Sequence, residues 1–213
     1  MEKLRKWHKE RMMERTVKAL LSNYFDAHFF TDRTSLLESI MYHVYPGMTI
    51  GIGGSLSIRG IGLLENLAQI DVEVLDHWKQ GLTKEDIDVI RLAQLTCDLF
   101  LSSANAITEK GDIVNIDGSG NRVNAMTFGP KKVIIIAGYN KITPDISSAL
   151  DRIKRIAAPL NAKRLNMPLP CAETGYCHDC KVEARICRIT SIIQRRPIGT
   201  NISVYLINEE LGL

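Results

Sequence analysis

The run KKVIIIAG, from Lys131 to Gly138, constrains the fold more than any other stretch. It is apolar without the alternation of a strand that has one wet face, and it is far shorter than the ~20 residues that span a bilayer. Such a run suits a strand buried on both sides, which requires a covering layer on each face of the sheet. No apolar stretch reaches ~18 residues. The opening MEKLRKWHKERMMERT lacks the apolar core of a secretory signal. The chain therefore reads as cytoplasmic and without a membrane span.

The remaining segments supply the layers. Met13, Val17, Leu20, Leu21 and Tyr24 recur at helical spacing and predict a first helix over 4–24. AHFFT reads as a strand, and Asp32 caps a helix reaching toward Tyr45 that Pro46-Gly47 ends. MTIGIGG is a buried strand followed by a helix from Leu56 to Leu67, and DVEVLD is a strand followed by the loop HWKQGL. Thr83 and Asp86 have the spacing of a capping box and open a helix to about Thr96. DLFLSS and GDIVNID are strands, the second leading into the turn GSGN. Thr143-Pro144 reads as cap and first helical residue of a helix toward Ile156, and NISVYLIN is a last strand. Strands alternating with helices predict a three-layer α/β sandwich with a largely parallel sheet, one domain over 1–213. Ligands bind such sheets at the carboxyl ends of the strands, which directs attention to the loops after Ile52, Ser102, Ile116 and Ala137.

Two of those loops are chemically dense. GIGGSLS places Gly53, Gly54 and Ser55 at the end of a buried strand, where backbone can approach a ligand and a helix start offers free N–H groups to an anion. The spacing is neither G-x-G-x-x-G nor a P-loop. In NAITEKGDIVNIDGSGNRV, the residues Asn105, Asn115, Gly118, Gly120, Asn121 and Arg122 crowd polar groups beside strand ends. Arg122 is the candidate clamp for a carboxylate or phosphate, with Glu109 or Asp117 as the acid–base group. Ordinary turn chemistry explains the glycines equally well. Cys97 and the pair His77-Trp78 read as packing residues.

Four of the five cysteines, Cys171, Cys177, Cys180 and Cys187, fall within the segment 171–187. A C-x₂-C pair grips a metal from one turn, and four thiolates match by count either an iron–sulfur cluster of the 4Fe-4S type or tetrahedral zinc. Free or redox-active thiols are the third reading. A disulfide framework is at odds with a cytoplasmic chain.

Taken together, GIGGS, the block NAITEKGDIVNIDGSGNRVNAMTFGPKKV, NAKRLN, PCAETGYCHDC and the closing NEELG resemble the LUD-domain family of lactate-utilization proteins, over about Thr16 to Gly212. The resemblance implies a fold like that of ribose-5-phosphate isomerase, glucosamine-6-phosphate deaminase and the CoA transferases, in which the loop matching GIGGSLS cradles a phosphate or acyl group. It also implies oxidation of lactate to pyruvate within multi-protein, iron–sulfur-containing complexes. A ferredoxin-like extension with repeated cysteine runs is not present in this sequence.

Two functions compete. One is an enzyme, or a subunit of an oxidoreductase complex, acting on a small hydroxy or keto acid or a related acyl or phosphate compound. Its partners would be a small anionic substrate, sister subunits or a second copy of itself. The other is an electron-transfer or assembly subunit whose four-cysteine site is the working part. The net charge of +3 and the lack of interleaved aromatics argue against a nucleic-acid binder, although the first helix and the tract 151–196 are basic.

Overall fold

The computed structural model describes residues 1–213. Its backbone is a parallel six-stranded sheet in the order β1-β10-β7-β4-β2-β3. The strands are β1 (Asp26–Phe30), β2 (Thr49–Ile52), β3 (Glu73–Asp76), β4 (Leu99–Ser102), β7 (Lys132–Gly138) and β10 (Asn201–Ile207). The sequence expectation of a largely parallel α/β sheet is met. The apolar run lies in β7, between β10 and β4. Its residues divide between two cores. Val133, Ile135 and Ala137 pack with Phe100, Val204 and Leu206. Ile134 and Ile136 pack with Ile50, Leu99, Leu101 and Tyr205. Burial on both faces is why the run does not alternate.

The second core is covered by α2 (Arg33–Met41), α3 (Leu56–Arg59) and α4 (Leu63–Leu67), through Leu36, Ile40, Ile58, Leu63 and Leu67. Asp32 caps α2, its side chain accepting from the Ser35 amide at 2.9 Å. The single helix predicted over 56–67 is broken, because Gly62 takes φ +76° at the start of α4. The first core is covered by α1 (Glu2–Ser22), through Met13 and Leu20, and by a second sheet. That sheet has the order β8-β5-β6-β9, with β5 (Ala106–Thr108), β6 (Ile113–Asp117), β8 (Ile142–Thr143) and β9 (Ile189–Ile193). Ile107 and Ile113 face the first core, while Ala106 and Val114 face a third core with Ala149 and Ile153.

Three elements depart from the sequence reading. The turn expected at GSGN gives way at Asn121 to α6 (Asn121–Thr127), because Asp117 Oδ1 accepts from the Ser119 and Gly120 amides and turns the chain into a helix. Thr143 belongs to β8, in register with Thr108, so α7 (Ile146–Arg152) is capped by Asp145, which accepts from the Ser148 amide at 2.8 Å. Beyond α7 the helix passes through a π-turn at Ile153–Ala157 into α8 (Ala158–Arg164). The capping box at Thr83 and Asp86 opens α5 (Lys84–Ala93), as its spacing predicts. A short α9 (Pro170–Thr174) precedes the last cysteines. No helix is long and apolar enough to cross a membrane.

Candidate functional site

The carboxyl ends of β2, β3, β4, β6 and β7 open on one cleft of about 270 Å³, with an adjoining inner chamber of about 120 Å³. Gly54, Trp78, Asn105, Arg122, Asn161 and Arg164 line both spaces. The four loops singled out in the sequence all contribute, with Lys141 following β7. The far wall is the π-turn and α8, and π-turns recur at functional sites because they re-aim side chains within a helix.

Each wall has a local cause. Asp76, at the end of β3, accepts on both oxygens from the one nitrogen Arg59 Nη2, at 2.7 Å each, and accepts from the Trp78 amide at 2.9 Å. Arg59 and Arg164 flank the Trp78 ring, at 5.0 and 4.5 Å from its centroid. The indole lies against Gly54, where a Cβ would stand 2.8 Å from it. Gly53 is equally constrained from the other side, with Phe100 2.7 Å from the same imaginary atom. These two glycines are required by close approach.

Gly54, Ser55, Asn105, Asp117, Gly118, Asn121 and Arg122 face the cleft or its chamber, whereas Gly53, Glu109, Asn115 and Gly120 do not. The Gly53 amide is spent on the Leu101 carbonyl at 2.9 Å. The Gly54 and Ser55 amides donate to no protein acceptor, but the helix they precede is a single turn and adds little dipole. Glu109 binds Arg15 at 2.8 Å on the outer surface, so its expected acid–base role is withdrawn.

Arg122 is also corrected, from ligand clamp to strut. Its Nη1 donates to the Ser103 carbonyl and Asn115 Oδ1, its Nη2 to Asn105 Oδ1 and the Ile116 carbonyl, and its Nε faces Asp117 Oδ2 at 3.3 Å. Of the five N–H donors of this guanidinium, four are in hydrogen bonds and the fifth faces Asp117 in an ion pair. Burial lowers its proton affinity, and Asp117 partly restores it. Asp117 is 8% exposed and gives its other oxygen to Ser119 and Gly120, which leaves it no free role as a base. Asn115 is the buried splice between the Asn105 amide and Arg122.

The sequence reading passed over the groups that the cleft does present. His77 and Trp78 line it rather than serving only as packing. Burial and nearby Arg91 push the His77 imidazole below its ordinary value. Arg91 lines the same wall, and its Nε has no partner. Lys141 sits in the inner chamber, 4% exposed, with its Nζ 2.9 Å from both Ser57 and Ser103 hydroxyls. The signal for it was available: it is the first cation after an apolar strand whose carboxyl end faces the ligand side.

Beside the cleft, the four cysteines line one small cavity of about 20 Å³. Cys187 and Ile186 belong to both walls. Little regular backbone holds this segment. Arg185 ties it by donating to the carbonyls of Cys187 and Cys180 at 2.6 and 2.7 Å and pairing with Asp179 at 2.9 Å. Burial raises the thiols of Cys171 and Cys187, so both are protonated at neutral pH. All four cysteines are free, and no group of three or more His, Cys, Asp or Glu side chains is arranged to hold a metal ion. Four thiols around one cavity are the donor type that thiophilic metals take. Cys97 lies apart, 1% exposed in the first core, its thiol raised to about 11 by burial.

The fold is similar to that of a DUF162 family protein from Deinococcus radiodurans, with a TM-score of 0.53 at 12% identity over 93% of this chain and 98% of that one. A weaker likeness to eIF2B beta from Chaetomium thermophilum (TM-score 0.34, 12% identity, 55% and 44% of the two chains) carries no argument. No curated protein matches the chain. The family model described as LUD domain matches residues 13–207. The chain belongs to the LUD-domain family.

Proposed function

We propose that the cleft binds a small organic anion, a hydroxy or keto acid or a related acyl or phosphate compound, and that the chain acts on it as an enzyme or as a subunit of an oxidoreductase assembly. One observation carries this reading: the lining offers donors with almost nothing to oppose them. Arg91 and Arg164 line the space with Gly54 and Ser55, whose amides have no protein acceptor, while its one acidic side chain, Asp117, is taken by Arg122. Cationic walls around a cleft favour an anion. Family membership is consistent with substrates of this class.

The test is calorimetry with lactate, pyruvate, acetyl phosphate and a CoA ester, repeated on Arg164→Ala. A hydrogen bond to a charged group contributes about 1.5–3 kcal/mol, so a true ligand should lose roughly ten- to a hundredfold in affinity. Equal affinity for the folded variant removes Arg164 from the site, and no binding by any of the four compounds removes the reading.

A second reading is favoured by the shared wall of cleft and thiol cavity. Cys171, Cys177, Cys180 and Cys187 would hold a 4Fe-4S cluster, with zinc as the alternative, and Arg185 would offset the thiolate charge. A bound cluster would supply one-electron transfer beside the cleft; zinc would act as a staple. Because ligation must displace thiol protons, loading should fall as pH drops. Anaerobic purification with iron, sulfide and zinc analysis separates these outcomes, and Cys177→Ser should lower metal content and stability together. Unchanged metal content in that variant rules out shared coordination.

A further inference from the structure

Lys141 is buried in a way that no ordinary surface lysine shares. It follows β7 at the carboxyl edge of the main sheet and reaches the inner chamber between α3 and the loop after β4. Its neighbours specify its hydrogen-bonding state. The Ser57 hydroxyl donates to the Leu211 carbonyl at 3.3 Å, and the Ser103 hydroxyl to the Ala104 carbonyl at 3.3 Å. Both serine oxygens are thereby turned to accept, and each lies 2.9 Å from Nζ. Lys141 thus has two protein acceptors and no carboxylate side chain in ion-pair range. A neutral amine has two N–H donors and one lone pair, which matches this arrangement. An ammonium would carry a third N–H with no protein partner.

Two charged side chains near it work in the same direction, while Gly212 lies beside Nζ and Leu213, the last residue of the sequence, lines the same chamber. Arg122 from α6 and Arg152 from α7 are both cations, and Arg152 is fixed by bonds to the Asn140 and Asn105 carbonyls. Burial first, and then these two guanidiniums, bring the Lys141 side chain down to about 7. Desolvation beside other cations is one of the known ways in which a lysine becomes a nucleophile at neutral pH.

We infer that Lys141 is a catalytic amine that forms an imine with the carbonyl of a small 2-oxo acid seated in the inner chamber. This rests on the proposed anion-binding function of the same cleft. The lone pair of Nζ adds to the carbonyl carbon, and an N–H proton passes to the oxygen to give a carbinolamine. The oxygen then leaves as water with the second N–H proton, and the C=N bond forms. No electrons are exchanged, so no oxidant is required. The free Gly54 and Ser55 amides and Arg164 are the donors available to the carboxylate.

The experiment is reductive trapping. The full chain is incubated with pyruvate or glyoxylate, treated with cyanoborohydride across pH 6–9, and mapped by peptide mass spectrometry, with pyruvate binding measured in parallel by calorimetry. The expected result is one adduct on Lys141, formed faster as pH rises through about 7, slowed by lactate, and absent from Lys141→Met and Lys141→Arg. If pyruvate binds by calorimetry and no adduct maps to Lys141, the amine role is overturned while the anion-binding reading stands. If neither oxo acid binds nor traps, both fall. Equal labelling of several lysines, undiminished by lactate, also overturns the inference, and the parent protein alone reveals it should either variant fail to fold.

Discussion

Two buried cations border the same cleft, and the chain houses them in opposite ways. Arg122 spends every donor on protein: two asparagine oxygens, two carbonyls and Asp117. Lys141 touches two hydroxyls, and the charged side chains that act on it are the guanidiniums of Arg152 and Arg122. The first arrangement is complete without a ligand and splices β5, β6 and α6 into one wall. The second costs stability, because a base whose charged form is disfavoured by folding weakens the folded state wherever the unfolded chain is protonated. A charged residue on a cleft is thus structural or functional according to what already satisfies it.

Removing Arg122 should break the comparison most violently. Arg122→Ala leaves Asp117 buried without its cation and takes one of two donors from the Asn105 and Asn115 oxygens, which keep the Ile116 and Asn105 amides, so a loss of about 3–5 kcal/mol is expected. Urea denaturation measures it; a loss below about 1 kcal/mol would show that the network is not a strut.

Lys141→Met should shift stability the other way. The parent binds fewer protons folded than unfolded between about 7 and the ordinary 10.5, so its stability rises with pH through that window. At about 1.4 kcal/mol per unit, less about 1 kcal/mol for each of two lost hydrogen bonds, the variant should gain about 2 kcal/mol at pH 7. The gain should shrink as pH rises and reverse toward pH 10.5, where only the lost hydrogen bonds remain, at about 2 kcal/mol in the parent's favour. Paired denaturation curves at pH 7 and 10 test the sign.

Gly54→Ala sharpens the comparison at the chamber mouth. The added methyl lies 2.8 Å from the Trp78 indole, which is half-buried and can swing, so the expected cost is about 1 kcal/mol. Anion affinity should fall more than stability, because the displaced indole also carries Arg164. Smallest of all is Glu109→Gln, which breaks an exposed ion pair with Arg15 and should cost about 0.2–1 kcal/mol without affecting ligand binding. A large loss of binding there would return Glu109 to the site.

The layers were legible because they follow from local pattern. KKVIIIAG has to be buried on both faces, and Thr83 with Asp86 caps a helix whatever surrounds it. The four loops were legible through the rule that ligands meet the carboxyl ends of strands. The second sheet was not. β9 is a largely exposed edge strand whose partner lies far back in the chain, and β8 is a two-residue pairing. The role of Arg122 was hidden for the same reason: its acceptors, Ser103, Asn105, Asn115 and Ile116, converge only after the hairpin of β5 and β6 has docked. Composition around an arginine cannot reveal whether its donors are free. Nor can it reveal that a lysine in GYNKITPD faces two serines from distant turns.

The contrast between the two cations reduces to the protonation state of one nitrogen, and NMR titration of the Lys141 side chain reads it directly. With carbon-labelled lysine, and the resonance assigned by its absence in Lys141→Met, the Cε shift should titrate with a midpoint near 7. A midpoint at the ordinary lysine value of 10.5 would mean that Lys141 is a charged ammonium, and the account of the chamber would be wrong.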